Sequence, residues 1–537
     1  MATANTRTSS PAARVAAGIL LGFTGLVLVV PAVMVVWNLV GRAQELSNLA
    51  AWTPAWALLG WSFIWAFGIG VLATVLAWPT GWATRGRGWG ATLVLLPVIA
   101  FPSYLSYAGY GLLRAPRTGV GDLIERMASG GWQDLPMVVG RGVALFSMAL
   151  WCWPIATIVL AAGLKKIPES VLDSLALEPL PWWRKSLVRL GMSCGPLTAA
   201  VGVCAVLMLG SAVPLHLAQA ATYSVQIWFD LTRAPGGPTV WTKSWPLLVI
   251  ATGAGWVLAK RLAETPGGEP EVAERPRFAK GRWQWMAWAA PAVFGVGVPL
   301  VMCALTVRGF KQVMMFWTLS GDAAVQSAWL AAGVGLSMAT IALCVFLMLS
   351  SGDARAGVVA KWCTAAWLAA GLMPGVLVGN AFLALGLRYE WLGDSQGIVV
   401  MAHVARFGGA AACLGCLAAR AAAVVTPLRR MDGALSLLGW METALPLGGA
   451  AVLWAGLLGA MESLHEIEST IIVQPPGTPG LAQVMLGYLH YSRMEELSVG
   501  VLWIALGVSV LAGFGALGVR WLGFGPADPA AANQESD

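Results

Sequence analysis

The sequence predicts an all-α polytopic membrane protein, with about 12 transmembrane helices arranged as two parallel six-helix repeats. Three observations predict it. Of 537 residues, 58% are hydrophobic and only 11% are charged, against about 25% charged in a soluble protein. Mean hydropathy is +0.72. The apolar residues fall in long continuous runs of roughly the 20 residues that a helix needs to cross a bilayer. Only helices and closed barrels satisfy every backbone group in lipid. A barrel would show alternating strands of about ten residues, which these runs do not resemble. The composition excludes a soluble globular enzyme and a disordered chain.

The first run, Val15–Val40, follows Arg7 and Arg14. It is longer than the 7–15 residues, roughly, of a signal-peptide core, so it reads as an uncleaved span. Ala55–Ala83, Ala91–Leu113, Val143–Leu164, Gly191–Val213 and Ser244–Ala259 complete the first half. The second half comprises Trp285–Val307, Ala323–Ser350, Trp362–Leu387, Gly397–Ala419, Ala444–Met461 and Leu497–Val519. Many of the 29 Trp residues, Trp52, Trp56, Trp82, Trp283, Trp285 and Trp521 among them, sit near run ends, as an interfacial belt does. Of the eight Cys, Cys152, Cys204, Cys303 and Cys344 lie inside apolar runs. Cys413 and Cys416 form a CxxC in a run of small residues. All of these read as packing residues.

Net charge is +7. With no aromatic-basic RNA motif and no zinc-finger spacing, the membrane surface explains it best. With the N-terminus inside, the inner segments carry 21 Lys and Arg and the outer ones 11. That bias places both termini in the cytoplasm. The stretch from Arg261 to Arg282 is charged and rich in Pro and Gly, and reads as a cytoplasmic linker. It separates a first membrane repeat (1–260) from a second (283–524), with a cytoplasmic tail at 525–537.

The halves resemble each other. Ser62, Gly68 and Gly70 stand opposite Ser327, Gly333 and Gly335 at one constant offset. Pro102 has a counterpart in Pro374 once a short insertion is allowed. Six spans per half is an even number, so both halves enter the membrane in the same sense, related by an axis along its normal. This is the geometry of a transporter rather than a receptor.

No HExxH pair and no GxxxxGK[ST] occurs, so this chain does not cradle ATP phosphates by that motif. None of the twelve runs contains Asp or Glu. Ion-coupled carriers place ionisable groups in the membrane, so the expected energy source lies elsewhere. Arg406 is the one charge inside a run. It reads equally as a pathway residue and as a structural Arg bonded to a neighbouring helix's carbonyls.

The inner segment Lys165–Arg189 is amphipathic and long for a connection. Its charges resist membrane burial, while Val171, Leu172, Leu175, Trp182 and Trp183 are too apolar for a solvated linker. A short helix pair docking on a cytoplasmic partner fits both. The alternative is a helix lying in the lipid interface.

Here the chain resembles the permease subunits of ATP-binding-cassette importers. Pro168, Asp173, Ser174, Leu175, Trp183 and Arg184 occupy places of their cytoplasmic coupling segment. Departures are Asp for Glu, Ser-Leu for Ala-Ala and Pro179 for Gly. A shorter second copy resembles it at Asp432, Gly433, Ala434, Gly439 and Trp440. The segment from His465 to Ser498 is similar to the last outer segment of the fused, two-repeat iron(III)-type permeases, at Glu466, Ser469, Thr470, Pro475, Pro476, Gly477, Glu495 and Glu496.

The resemblance implies a binding-protein-dependent importer permease in a bacterial inner membrane, for iron(III). It implies two copies of a separate cytoplasmic ATPase and an extracytoplasmic binding protein as partners. This chain would carry no cofactor and would not itself hydrolyse ATP. Arg406 stands as a candidate for the pathway or outer face, beside its structural reading. Glu462, Glu466, Glu468, Glu495 and Glu496 would contact the binding protein or steer a cation. Thiamine, a polyamine or an oxyanion are the alternative substrates. From other classes, an ion-coupled carrier and a non-transporting scaffold remain open, while a lipid-acting enzyme lacks convergent polar residues.

Overall fold

In the computed structural model the chain is helical, with no strand among the described residues: 11–44, 47, 52–85, 95–115, 118–233, 237–263, 282–423, 425–426 and 436–521. The linker at 264–281, the tail beyond 521, and Asp432, Gly433 and Ala434 lie outside them.

The first part of the chain forms α1 (Pro11–Gly41), α2 (Trp56–Thr84), α3 (Ser103–Leu113), α4 (Leu135–Leu164), α5 (Glu169–Leu177), α6 (Trp182–Leu209), α7 (Tyr223–Arg233) and α8 (Trp245–Ala263). The second forms α9 (Met286–Thr306), α10 (Phe310–Ser350), α11 (Ala354–Leu372), α12 (Gly375–Arg388) and α13 (Gln396–Ala421). It continues through α14 (Leu437–Thr443), α15 (Leu445–Ser463), α16 (Leu481–His490) and α17 (Met494–Val519). Among the described residues nine helices are long and apolar enough to cross a membrane, or ten if one bent pair counts as a span. This is the build of a multi-pass membrane protein.

Nine of the twelve apolar runs therefore coincide with such helices, and three do not. Ala91–Leu113 is not one helix: a short turn, Leu96–Ile99, precedes α3, and Pro102 stands at the break. Trp362–Leu387 is two helices, α11 and α12, bent by 105° at Met373–Pro374. Ser244–Ala259 becomes α8, whose last turn carries Lys260 and Arg261. Both breaks have one cause. Proline lacks an N–H and drives the residue before it out of the helical region. Met373 has ψ 150°, and Pro102 and Pro374 hold the extended N-cap positions of α3 and α12. Hydropathy is blind to this, because both limbs are apolar.

α2 packs against α4 and α6, and α10 packs in the same way against α13 and α15. The residues paired in the sequence make matching contacts. A Cβ at Gly70 would sit 2.8 Å from the Val201 carbonyl oxygen of α6. One at Gly335 would sit 2.7 Å from the Gly456 carbonyl oxygen of α15. Ser62 Oγ accepts the N–H of Tyr223, the first residue of α7, at 2.6 Å. Ser327 Oγ accepts the N–H of Leu481, the first residue of α16, at 2.8 Å. Each serine satisfies a buried donor that a helix start otherwise leaves unpaired. Ser62→Ala and Ser327→Ala are each expected to lose about 1–3 kcal/mol. Faster hydrogen exchange confined to Tyr223 or to Leu481 is the readout, and unchanged exchange at both would count against the contact.

Candidate functional site

The two proline breaks meet the segment that follows α15, and a buried charged cluster forms there. Its centre is Glu468. One carboxylate oxygen accepts the N–H groups of Ala212, at 2.7 Å, and Val213, at 3.3 Å, just beyond α6. The other accepts the N–H of Gly375, the first residue of α12, at 3.3 Å. Arg406 pairs with that second oxygen at 3.3 Å and donates its other Nη to the carbonyl of Met373 at the break. Arg406 thus bonds both a neighbouring helix's carbonyl and a carboxylate. A glycine is needed at 375, because a Cβ there would lie 2.7 Å from the Glu468 carboxylate and 3.2 Å from that of Glu466.

Glu466 accepts the N–H and the hydroxyl of Ser469 at 3.0 and 3.1 Å. His465 bonds the carbonyl of Ala100 at the first break, at 2.9 Å. Glu462, in the last turn of α15, lies 3.7 Å from His465 Nε2. His403, one turn from Arg406 on α13, spans Ser463 Oγ at 2.8 Å and Thr470 Oγ1 at 2.7 Å. Thr470 Oγ1 gives its single proton to the Glu466 carbonyl, so it accepts from the imidazole rather than donating to it.

Two expectations change here. Glu462 belongs to a membrane-length helix, and Glu462, Glu466 and Glu468 are 9%, 9% and 7% exposed. A membrane-length helix therefore does carry a carboxylate, and the three acids that the sequence reading assigned to an outer segment are buried. The apolar run Ala444–Met461 stops one residue short of Glu462, which is how the sequence reading missed it. Glu495 and Glu496 are held elsewhere: Glu495 by Gln312 and by Arg308 at 3.5 Å, Glu496 by Arg493. Gly477, with φ +79°, occupies the left-handed region that its turn after Pro475 and Pro476 requires.

His403 and His465 escaped the sequence reading as site residues. His403 carried one usable signal, its spacing of three from Arg406 on one helix face.

The segment Lys165–Arg189 holds one short helix, α5, after which the chain enters α6 directly. Leu172 and Leu175 turn inward, while Val171, Leu177, Trp182, Trp183 and Leu187 are exposed. Asp173, Ser174 and Arg184 are exposed beside them, and Pro168 caps the helix start. Glu169 ties α5 to Arg85, the C-cap of α2, at 3.2 Å. In the second half, Trp440 of α14 donates to Ser350, the last residue of α10, at 2.7 Å. Arg85 and Ser350 stand at the same offset as Ser62 and Ser327. Gly439 donates its N–H to Ser436 in the N-cap of α14, and Leu437, Leu438 and Met441 are exposed. No protein-family model, curated protein or solved structure matches this chain.

Proposed function

We propose that the chain is the transmembrane permease of an ATP-driven importer, built as two parallel six-helix repeats, with α5 and α14 as docking helices for separate ATPase subunits. One observation carries the reading. At the same end of equivalent helices, two short helices are tethered to the span and leave apolar side chains exposed. Leu177 of α5 and Trp182, where α6 begins, are 86% and 79% exposed, beside the charges of Asp173, Glu178 and Arg184. Exposed apolar side chains beside charges are what a protein partner covers. The α2–α4–α6 and α10–α13–α15 packing, with its paired serine and glycine contacts, supports the duplication. The proline breaks and the charged cluster then lie where the halves meet, as an alternating path requires. In this reading both termini and both docking helices face the cytoplasm of a bacterial cell, and a binding protein delivers substrate outside. Iron(III) is the substrate that the resemblance implies.

A second reading, the ion-coupled carrier, is favoured by the buried Glu462, Glu466, Glu468, His403, His465 and Arg406. Co-purification from native membranes separates the two. Wild type is expected to bring down a Walker-motif ATPase with measurable hydrolysis. Leu177→Glu with Asp173→Arg, both on exposed positions, is expected to lose about tenfold or more of it at unchanged melting temperature. If no ATPase associates with wild type, the carrier reading replaces the importer.

A further inference from the structure

We infer that a cavity at the end of α4 remote from α5 binds a zwitterionic phospholipid headgroup, a phosphate joined to a protonated primary amine. Arg114 takes the phosphate and Asp134 the ammonium. Such a site needs only a multi-pass membrane protein and is independent of the importer reading.

The cavity holds about 350 Å³, and its polar lining is Tyr107, Arg114, Gln133, Asp134 and Gln219. Arg114, the C-cap of α3, is set in place there. It donates to Tyr107 Oη at 3.0 Å and to the Pro136 carbonyl at 3.3 Å. Tyr107 donates in turn to the Leu217 carbonyl at 3.4 Å. Gly140 makes the room, since a Cβ there would strike the guanidinium. Asp134 is the N-cap residue of α4, yet its carboxylate makes no capping bond. Among the described residues neither Arg114 nor Asp134 belongs to an ion pair, with each other or with another group. One cation and one anion therefore face a single cavity unpaired. A plain anion would be repelled by Asp134, and a plain cation by Arg114. A ligand carrying both charges satisfies both: the guanidinium matches a phosphate, and the carboxylate matches ammonium N–H groups.

The surroundings make that ligand a lipid. Met137 lines the cavity and, with Val138, is exposed in the first turn of α4, a membrane-length helix. Trp132, two residues before Asp134, is 65% exposed, in the place of an interfacial Trp. The short helix Gly119–Ser129 packs on α4 and is amphipathic. Val120, Leu123 and Met127 are exposed on one of its faces, and Asp122, Glu125 and Arg126 lie on the other. Such a helix lies in the membrane interface with its apolar face toward the acyl chains. The cavity thus stands at the depth of the lipid headgroups. Arg114 and Asp134 meet the headgroup, and Met137 and Val138 meet the apolar part below it. A water-soluble zwitterion would leave that apolar mouth uncovered.

The test uses the full chain, delipidated in detergent, with the first lipid bound read by native mass spectrometry. The probes are phosphatidylethanolamine, phosphatidylcholine, phosphatidylglycerol and free glycerophosphoethanolamine. Phosphatidylethanolamine is expected to bind tightest. Phosphatidylcholine, whose quaternary nitrogen has no N–H, and phosphatidylglycerol, which has no amine, should each bind about threefold more weakly, as an exposed carboxylate allows. Arg114→Gln should weaken phosphatidylethanolamine binding about tenfold, and Gly140→Ala, which displaces Arg114, should weaken it too. Asp134→Asn should erase the preference among the three lipids. Arg388→Gln, at the end of α12, should change nothing. Unaltered binding in Arg114→Gln overturns the inference. Glycerophosphoethanolamine binding as tightly as the whole lipid also overturns it, assigning the cavity to a soluble ligand. Should the variants fail to fold, the wild-type order decides alone: any lipid equal to or above phosphatidylethanolamine overturns it.

Discussion

Glu468→Ala should destabilise the protein by about 3–5 kcal/mol, the cost of stranding one partner of a buried ion pair. The reason is local. Removing the carboxylate leaves Arg406 buried without its counter-ion and frees the N–H groups of Ala212, Val213 and Gly375. Arg406→Ala should cost a similar amount, because Glu468 then keeps its backbone donors but loses its counter-charge. The double variant Arg406→Ala/Glu468→Ala should cost less than the sum of the two single losses, since residues of one network couple. Unfolding in detergent, read as a double-mutant cycle, checks this. Strict additivity would show that the pair does not hold the breaks together. Glu468 binds the chain just beyond α6 to the start of α12.

Gly70→Ala and Gly335→Ala form the second large effect, expected at about 1–3 kcal/mol each from overpacking. In both, the added carbon meets a backbone carbonyl oxygen, at 2.8 and 2.7 Å, which no rotamer change relieves. α2 would have to part from α6, and α10 from α15. Gly60→Ala is the control, because nothing lies within 4 Å of a Cβ there, and it is expected to be neutral. Thermal unfolding of the three variants decides. Similar losses at 70 and 335 are the signature of one packing motif used twice. A loss at one site alone would mean that the matched serines and glycines do not mark equivalent helices.

Much of this was legible in the residues. A helix crossing a membrane needs only length and apolarity, both local properties, so nine of twelve runs coincide with membrane-length helices. The recurrence of Ser62, Gly68 and Gly70 as Ser327, Gly333 and Gly335 was also legible, because small residues at close helix contacts leave a pattern along one helix. The amphipathic character of Lys165–Arg189 was visible too, since it resides in sequence neighbours, α5 and the first turns of α6.

The breaks and the charged cluster were not legible in the same way. A proline in an apolar run is compatible with a kinked span or a broken one, and only packing against Glu468 and its neighbours shows the 105° bend at Met373–Pro374. Glu462, Glu466 and Glu468 look like outer loop acids in one dimension, because hydropathy sums neighbours in sequence, not in space. Burial, and with it the pairing of Glu468 with Arg406, 62 residues away, and with the backbone N–H groups of Ala212 and Val213, is a non-local property. Composition and periodicity thus decided that the chain is a bundle of membrane-length helices with a repeated pattern. Which charges share the interior, and which backbone groups they hold, was decided by contacts between segments distant in sequence, where the low dielectric makes every such pairing matter.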